Sequence, residues 1–368
     1  MRPARVVLYD PPMTMTADAR SRFVDLFARK VDAAPLAPLE PGEIFAGDYR
    51  VDRLLARGGM ASVYVVQQLS TGRRRALKVM HPELAGDFHA RRRFQQEARI
   101  GSLIDSAHVV EVHAAGVDAA SHLSWLVMEL LEGETLEERV QQGPLAVAEL
   151  RFTYQQLCHA LGAAHRAGVV HRDLKPENVF ISRLDRTAAP IEVKVLDFGI
   201  AKLGHSPLAS APGVTGTPLW MAPEQAIRET VGPSADIWAL GLMAFYLLTG
   251  RYFWRSAGDP DGSLTSILRE ILVDEIPTAS SRAAAYGAGA RLPAGFDAWF
   301  ARCVARAPGD RFASVVEMWR ELEALLEFAE DPTFASVDLS TADTLAPPAP
   351  SRRPQRFTLF AGSVEGAL

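Results

Sequence analysis

The stretch His171–Asn178, with the sequence HRDLKPEN, decides how the rest of the chain is interpreted. An aspartate at position 173 is followed by a lysine two residues later and by an asparagine five residues later. A solvated loop would rarely combine these three residue types in this order by chance. The stretch therefore predicts a functional loop that carries a carboxylate, an ammonium group and an amide close together.

A second motif, Asp197–Gly199 with the sequence DFG, lies 24 residues beyond Asp173. The tripeptide alone is weak evidence because it occurs by chance in many proteins. It directly follows Ile191–Leu196, whose sequence IEVKVL is typical of a strand. The tripeptide becomes strong evidence for a second functional element because it lies at this distance from Asp173 and directly follows a predicted strand.

Together the two motifs resemble the catalytic loop and the metal-binding motif of serine/threonine protein kinases, and the resemblance extends from about Tyr49 to Phe328. Lys175 is the residue typical of the Ser/Thr-specific members. The resemblance implies an α+β, bilobal protein-kinase fold. It has a small antiparallel β-rich N-lobe with one key helix and a larger α-helical C-lobe.

Hydrophobic patterning along the chain agrees with two lobes in series that join near Glu129–Glu134. The predicted strands are 50–55, 62–68, 75–80, 109–113, 125–129 and 191–196. The predicted helices are 91–104, 147–167, 234–249, 263–273, 296–305 and 314–328. The apolar run Ile237–Leu248 is too short to span a bilayer and predicts a buried core helix.

The resemblance also implies the roles of the motif residues, with ATP and Mg²⁺ as cofactors. Phosphoryl transfer has a loose, anionic transition state, so the protein mainly positions groups and neutralises charge. Asp173 would accept the proton of the substrate hydroxyl, and Lys175 would neutralise the γ-phosphate. Asn178 and Asp197 would hold Mg²⁺.

Upstream, the segment Arg75–Lys78 with the sequence RALK resembles the strand that carries the ATP-positioning lysine, here Lys78. Glu97 is placed to be its partner on the following helix. Most lysines and glutamates are solvated surface charges. Lys78 and Glu97 each have apolar neighbours in the sequence and precede the catalytic loop in this order. Both observations favour an ion pair between them that lies next to the ATP phosphates.

The nucleotide-covering loop departs from the family pattern G-x-G-x-x-G-x-V, which falls on Ala56–Val63 with the sequence ARGGMASV. Only the central glycine is kept, as Gly58, with Gly59 beside it. Ala61 belongs to a variant familiar among bacterial members, so Ala56 is the real departure. Its effect on ATP affinity is left open by the sequence.

The family's adenine pocket maps onto apolar positions that the nucleotide would contact, with Met128 as the gatekeeper. The backbone of Glu129 and Leu131 would supply hydrogen bonds to the adenine. A kinase adenine pocket is itself apolar, so the same residues are also consistent with a place in the hydrophobic core. The apolar residues are Leu55, Val63, Ala76, Met128 and Leu131.

The segment from Asp197 to Glu224 resembles an activation segment and ends in GVTGTPLWMAPE. Thr217 would bridge the catalytic Asp and Lys through its hydroxyl. Thr215 is the predicted autophosphorylation site, because a phosphate there adds negative charge that could pair with Arg172. The alternative is an ordinary exposed loop threonine.

Three further residues resemble scaffold positions of the family. Arg311 is similar to the buried arginine that pairs with Glu224. Asp236, near the start of the buried helix, would anchor the backbone of the catalytic loop. Loss of Arg311 or Asp236 would destabilise the fold by leaving a buried charge unpaired.

Outside the catalytic domain, predicted for 48–328, the composition changes. The N-lobe is predicted for 48–130 and the C-lobe for 134–328. A leader over 1–47 is broken by prolines and holds one short helix at about 17–31. The tail at 329–368 is rich in Ser, Thr, Ala and Pro, which predicts disorder.

Composition excludes several classes of protein. The 368 residues include 39 Lys and Arg against 44 Asp and Glu, a net charge of −5, which argues against a nucleic-acid or anionic-membrane binder. Two cysteines, Cys158 and Cys303, exclude a disulfide scaffold and indicate a reducing compartment. Without a signal peptide or a membrane span, we expect a cytoplasmic protein.

The sequence therefore predicts a bacterial, eukaryotic-like Ser/Thr protein kinase that transfers the ATP γ-phosphate to protein hydroxyls, with autophosphorylation in its activation segment. One alternative is a catalytically impaired pseudokinase that acts as a scaffold, supported only by Ala56. Another is a small-molecule phosphotransferase, which the segment around Thr217 disfavours. A transient homodimer for autophosphorylation in trans is left open.

Overall fold

The structure, a computed structural model, describes residues 39–101, 103–182, 191–198, 219–227, 229–257 and 263–327. The predicted leader helix and the predicted low-complexity tail lie outside these residues. Gly199, Thr215 and Thr217 lie outside them as well. Within α-helix Phe88–Gly101, the side chain of Glu97 is also outside the description.

Six antiparallel strands form one sheet in the order β1-β2-β3-β4-β6-β5. Successive side chains of a strand point to opposite faces, so neighbouring positions enter different apolar clusters. Ala76 and Leu126 pack on one face, whereas Leu77 and Val127 pack on the other. The strands are β1 Ile44–Phe45, β2 Tyr49–Arg57, β3 Ala61–Gln68, β4 Arg74–Met80, β5 Val112–Val117 and β6 Ser124–Met128.

One helix, α1 Phe88–Gly101, packs against β5 and β6 and adds Ala90 and Phe94 to the first of these faces. It begins three residues before the predicted start at 91 because Asp87 caps it. The Asp87 Oδ1 accepts the backbone N–H of His89 at 2.8 Å and that of Ala90 at 3.2 Å. We call the sheet with α1 the N-terminal lobe.

The helical part of the chain forms the C-terminal lobe around one buried helix, α5 Ser234–Thr249, which matches the predicted 234–249. Nearly every side chain of this helix is buried, and Gly250 ends it with a φ of 69°. No helix among the described residues has the length and apolarity needed to cross a bilayer. The other helices are α2 Leu136–Gln141, α3 Val147–Arg166, α4 Pro223–Ala226, α6 Leu264–Leu272, α7 Ala279–Ala285, α8 Phe296–Cys303 and α9 Val315–Glu327.

A small sheet at the junction of the lobes carries the two motif segments. Its strands are β7 Glu134–Thr135, β8 Val179–Ser182 and β9 Glu192–Val195, in the order β7-β8-β9. Strand β8 begins directly after Asn178, and β9 ends two residues before Asp197. The antiparallel pairing of Val179 with Val195 therefore brings the two motifs side by side.

The predicted strand at 109–113 differs from the structure, in which β5 begins at Val112. The preceding residues pair instead with β9: the backbone N–H of Val110 donates to the carbonyl of Val195 at 3.1 Å, and Val195 donates to His108 at 2.8 Å. This segment therefore connects the N-terminal lobe to the strand that precedes Asp197.

Candidate active site

Lys78 of β4 and Asp197 lie 119 positions apart in sequence and form an ion pair, with 2.8 Å between Nζ and Oδ1. The lysine side chain is only 13% exposed, so solvent screens the pair weakly. Asp197 has a φ of 41°, a left-handed conformation that is unusual for a residue other than glycine. The predicted pair between Lys78 and Glu97 stays a prediction.

Asp173 and Asn178 are joined within the catalytic loop. The Asn178 Nδ2 donates to the backbone carbonyl of Asp173 at 2.7 Å and lies 3.5 Å from its Oδ2. A 3₁₀ turn over Pro176–Asn178 brings the asparagine back toward the aspartate, and the Asn178 N–H donates to the Lys175 carbonyl at 2.9 Å. The two polar side chains that the sequence separates by five positions are thus neighbours.

The donors at this place suit a hard cation. Mg²⁺ prefers oxygen ligands, and Asp197 supplies a carboxylate. Because the Asn178 Nδ2 is engaged with Asp173, the amide oxygen is the end of that side chain that can accept a cation. These residues fit the metal that the resemblance implies. Mg²⁺ takes six ligands, so phosphate oxygens and water would complete its coordination.

His171 is fully buried and connects the catalytic loop to the segment before Asp197. Its Nε2 lies 2.9 Å from the carbonyl of Leu196, and its Nδ1 accepts the Asp173 N–H at 3.3 Å. The ring packs against Phe198 with a centroid distance of 4.8 Å. Neutral imidazole with its proton on Nε2 satisfies both hydrogen bonds. Burial lowers the pKa of His171, in keeping with that neutral form.

We expect the free energy of unfolding to fall as the pH is lowered from 7.5 to 5.5. In the unfolded chain His171 takes up a proton near its ordinary pKa of about 6.5, whereas the folded protein resists protonation until lower pH, so acid favours the unfolded state. Burial also lowers the pKa of His81, His108 and His113. Urea unfolding at several pH values would measure the slope, and His171→Asn should reduce it, with the other three histidines supplying the remainder. A slope of zero in the parent protein would contradict this.

Asp236 fixes the catalytic loop to the core from the first turn of α5. Its carboxylate is 1% exposed and accepts the backbone N–H groups of His171 and Arg172, each at 2.9 Å. It also lies 2.8 Å from the Nε2 of His165. Arg172 has a φ of 65°, so these bonds hold the loop in a locally strained conformation.

Glu224 and Arg311 form a buried bidentate ion pair, with N–O distances of 2.7 and 2.8 Å. The remaining N–H groups of the guanidinium donate to the carbonyls of Ala305, Ser234 and Arg306. Every N–H group of the guanidinium therefore has a hydrogen-bond acceptor. Next to Glu224, the Gln225 Nε2 donates to the carbonyl of Arg172 at 2.7 Å, which ties this segment to the catalytic loop.

An apolar cluster lies between the sheet and the motif segments. It holds the predicted adenine-contacting residues Val63, Ala76, Met128 and Leu131, with Leu55 packed at its edge. The C-terminal lobe contributes two more members that sequence reasoning missed, Phe180 and Leu196. Phe180 comes two residues after Asn178, and this proximity to the motif was the available signal.

The segment after β6 has backbone groups suited to a flat polar ligand. Glu129 uses its N–H to donate to the Glu111 carbonyl at 3.0 Å, and its carboxylate binds the Lys194 Nζ at 2.9 Å. Among the described residues, the Glu129 carbonyl and both backbone groups of Leu131 have no hydrogen-bond partner. They offer two acceptors and one donor beside the apolar cluster.

The turn at Gly58–Met60 joins β2 to β3 without strain at the two alanines. Ala61 pairs with Met80 in regular register, whereas Ala56 pairs with Val63 directly after a register shift between Leu54 and Ala56. Among the described residues, the non-glycine positions with positive φ are 46, 122, 172 and 197, none of them in this turn. The departure from the glycine pattern at Ala56 therefore carries no backbone penalty here.

Comparisons with known proteins agree with this arrangement. A family model described as "Protein kinase domain" matches residues 49–312. The chain is 37% identical over 282 residues to the serine/threonine-protein kinase Pkn1 of Myxococcus xanthus, an alignment that covers 76% of this chain. It is 34% identical over 306 residues to the serine/threonine-protein kinase PknL of Mycobacterium tuberculosis, covering 83% of this chain and 72% of PknL.

The aligned part spans only 38% of the length of Pkn1 and 25% of that of a second Myxococcus xanthus relative, the serine/threonine-protein kinase pkn2. Among solved structures, the kinase domain of Mycobacterium tuberculosis PknI superimposes with a TM-score of 0.58 at 28% identity. That match covers 78% of this chain and 100% of the other.

Proposed function

Because the chain belongs to the protein kinase family, we propose that it is a serine/threonine kinase that transfers the γ-phosphate of ATP, with Mg²⁺, to protein hydroxyls. One observation carries the proposal. The Lys78–Asp197 ion pair and the hydrogen-bonded Asp173–Asn178 pair come together where the two lobes meet. These four side chains are the charged and polar groups that phosphoryl transfer requires.

In the proposed reaction, Asp173 accepts the proton of the substrate hydroxyl and orients its oxygen toward the γ-phosphate. Lys78 positions the nucleotide phosphates, and Lys175 neutralises charge on the γ-phosphate. Asn178 and Asp197 would hold Mg²⁺, which would neutralise negative charge on the phosphates of ATP. The Glu129 carbonyl and the Leu131 backbone bind the adenine edge, and Gly58 and Gly59 cover the phosphates.

The proposed regulation uses Arg172 and the activation segment. The Arg172 Nε is buried and has no hydrogen-bond partner among the described residues. A phosphate on Thr215 would supply the missing acceptor and a charge of about −1.5 to −2. Thr217 is proposed to bridge Asp173 and Lys175 through its hydroxyl.

The test is to incubate the purified protein with Mg²⁺, γ-labelled ATP and a generic basic protein, and to map the label by mass spectrometry. We expect Mg²⁺-dependent label on serine and threonine, including Thr215. A rate of autophosphorylation per molecule that rises with protein concentration would indicate transfer in trans. Nucleotide binding without any transfer would favour the pseudokinase scaffold instead.

Replacing Lys78 with methionine should reduce phosphate transfer at least about 10²-fold, because it removes a preorganised electrostatic contact. It also leaves Asp197 without the ammonium group that lies 2.8 Å away. Steady-state transfer to the basic protein would measure the loss. Arg74→Met is the matched control, since Arg74 lies on the same strand with 46% of its side chain exposed. Near-normal turnover of the Lys78 variant would contradict the assigned role.

A further inference from the structure

His81 contacts the turn Gly58–Met60 through its backbone, and it contacts the strand that follows the turn through its ring. The residue directly follows β4, and its backbone N–H donates to the Met60 carbonyl at 2.9 Å. Its ring Nε2 lies 3.0 Å from the Oγ of Ser62, the second residue of β3. The backbone of Gly59 is close enough to the ring to act on its pKa. One residue thus contacts both the turn and the strand that follows it.

The backbone of His81 is itself held in place. Its carbonyl accepts the N–H of Leu84 at 3.0 Å, as the residue that precedes the 3₁₀ turn Pro82–Leu84. The strand register adds support, because Ser62 pairs with Val79 two residues before the histidine. Ser62 is 5% exposed, so its hydroxyl needs an internal partner, and His81 supplies one.

Burial of the ring favours a neutral imidazole. Burial lowers the pKa of His81 and outweighs Glu83, which acts in the opposite direction, while Arg57 lowers the pKa further. A neutral ring has one donor nitrogen and one acceptor nitrogen. Its Nε2 lies 3.0 Å from the Ser62 hydroxyl, which can donate to that nitrogen or accept from it.

A turn that contains two adjacent glycines loses much conformational freedom when it becomes ordered. On the proposed function this turn covers the phosphates of the nucleotide, so ordering it at the moment of binding would weaken affinity. Contacts that order the turn beforehand reduce this cost. The His81 and Ser62 contacts are made entirely within the protein and so exist before any ligand arrives.

We propose that the His81–Ser62 pair pre-orders the Gly58–Met60 turn for nucleotide binding, which makes His81 a positioning residue that acts through the turn. The inference rests on the proposed function, since it assigns the turn to ATP. It also explains how a loop that keeps only one glycine of the family pattern can be ordered for binding. Part of that order comes from the side chain of His81, which directly follows β4.

The experiment compares His81→Leu and Ser62→Ala with His81→Gln, whose amide restores a hydrogen-bonding group near the position of Nε2. The control is Ser70→Ala, which removes a hydroxyl bonded to Asp48 at 2.7 Å in the turn at the other end of β3. Four quantities are measured: the Kd of the fluorescent analogue mant-ATP in the presence of Mg²⁺, the KM for ATP, kcat, and hydrogen exchange at residues 57–62 in the nucleotide-free protein.

We expect His81→Leu and Ser62→Ala to raise Kd and KM about tenfold, which is about 1.4 kcal/mol, with kcat within about twofold. The Gly58 amide, which donates to Ala61 at 2.9 Å, should exchange faster in both variants. His81→Gln should recover most of the affinity, and Ser70→Ala should leave the Kd unchanged.

An unchanged Kd in a folded His81→Leu protein, or a loss confined to kcat, would overturn the proposal. So would a Ser70→Ala effect as large as that of Ser62→Ala, because it would indicate general loosening of the sheet. If the parent protein bound no mant-ATP, the proposed function would fail instead. Unchanged exchange at Gly58 in nucleotide-free His81→Leu would then still overturn the His81–Ser62 assignment.

Discussion

Replacing Asp173 with asparagine is expected to lower kcat for phosphate transfer by about 10³-fold, within the range that general-base catalysis contributes. The substitution keeps the shape of the side chain and removes its negative charge together with its ability to accept a proton. The bond from Asn178 to the Asp173 carbonyl uses the backbone, as does the bond from the Asp173 N–H to His171. The loop should therefore keep its conformation.

Single-turnover transfer and the Kd of mant-ATP together test this expectation. The Kd should stay within about threefold of the parent value, because the nucleotide contacts assigned to Lys78, Asn178 and Asp197 are untouched. Asp52→Asn makes the same chemical change on β2 and should leave kcat unaltered. Residual activity above about a tenth of the parent would show that another group accepts the proton.

Replacing Arg311 with methionine should reduce the free energy of unfolding by about 3–5 kcal/mol, the cost of breaking a buried ion pair by removing one partner. The side chain is fully buried, and its loss leaves the Glu224 carboxylate without either of its two N–H donors. Three backbone carbonyls lose their donors as well. Urea unfolding followed by tryptophan fluorescence would measure the change.

Two comparisons separate this effect from a general loss of packing. The double variant Glu224→Leu with Arg311→Met should be less destabilised than the sum of the single variants, since it leaves no buried charge unpaired. Arg302→Met breaks an ion pair with Glu317 in which both side chains are more than a third exposed, and it should change stability little. If Arg311→Met lowered the free energy of unfolding no more than Arg302→Met does, the buried pair would not stabilise the fold as expected.

Local patterns predicted the parts of the fold that are local in origin. Helix α5 was predicted at its true bounds because the apolar run Ile237–Leu248 is soon followed by Gly250, whose φ of 69° stops the helix. The 24-residue distance between Asp173 and Asp197, and the strand before Asp197, predicted two related functional elements, and in the structure the β8–β9 pairing brings their segments side by side. By contrast, α7 Ala279–Ala285 is short and rich in alanine and serine, so it has no apolar period to detect.

Contacts that depend on register could not be predicted from the sequence. The Ser62–His81 contact joins residues 19 positions apart and exists only because β3 and β4 pair with Ser62 opposite Val79. The hydrogen bond between Val110 and Val195 likewise forms only when the two lobes are in place. The sequence pattern therefore predicted one strand over 109–113, although the first residues of that segment pair with β9. Phe180 and Leu196 enter the apolar cluster for the same reason.

The composition of that cluster has a thermodynamic consequence. Val63 and Met128 of the N-terminal lobe meet Phe180 and Leu196 of the C-terminal lobe in it, so a molecule bound there contacts both lobes at once. A ligand that binds only the folded state stabilises it by mass action, by about 2.7 kcal/mol at a hundred times its Kd. If the proposed function holds, the free energy of unfolding of this chain rises with the concentration of ATP in the cell. The stability of the two lobes then depends on the nucleotide concentration around the protein as well as on its own contacts.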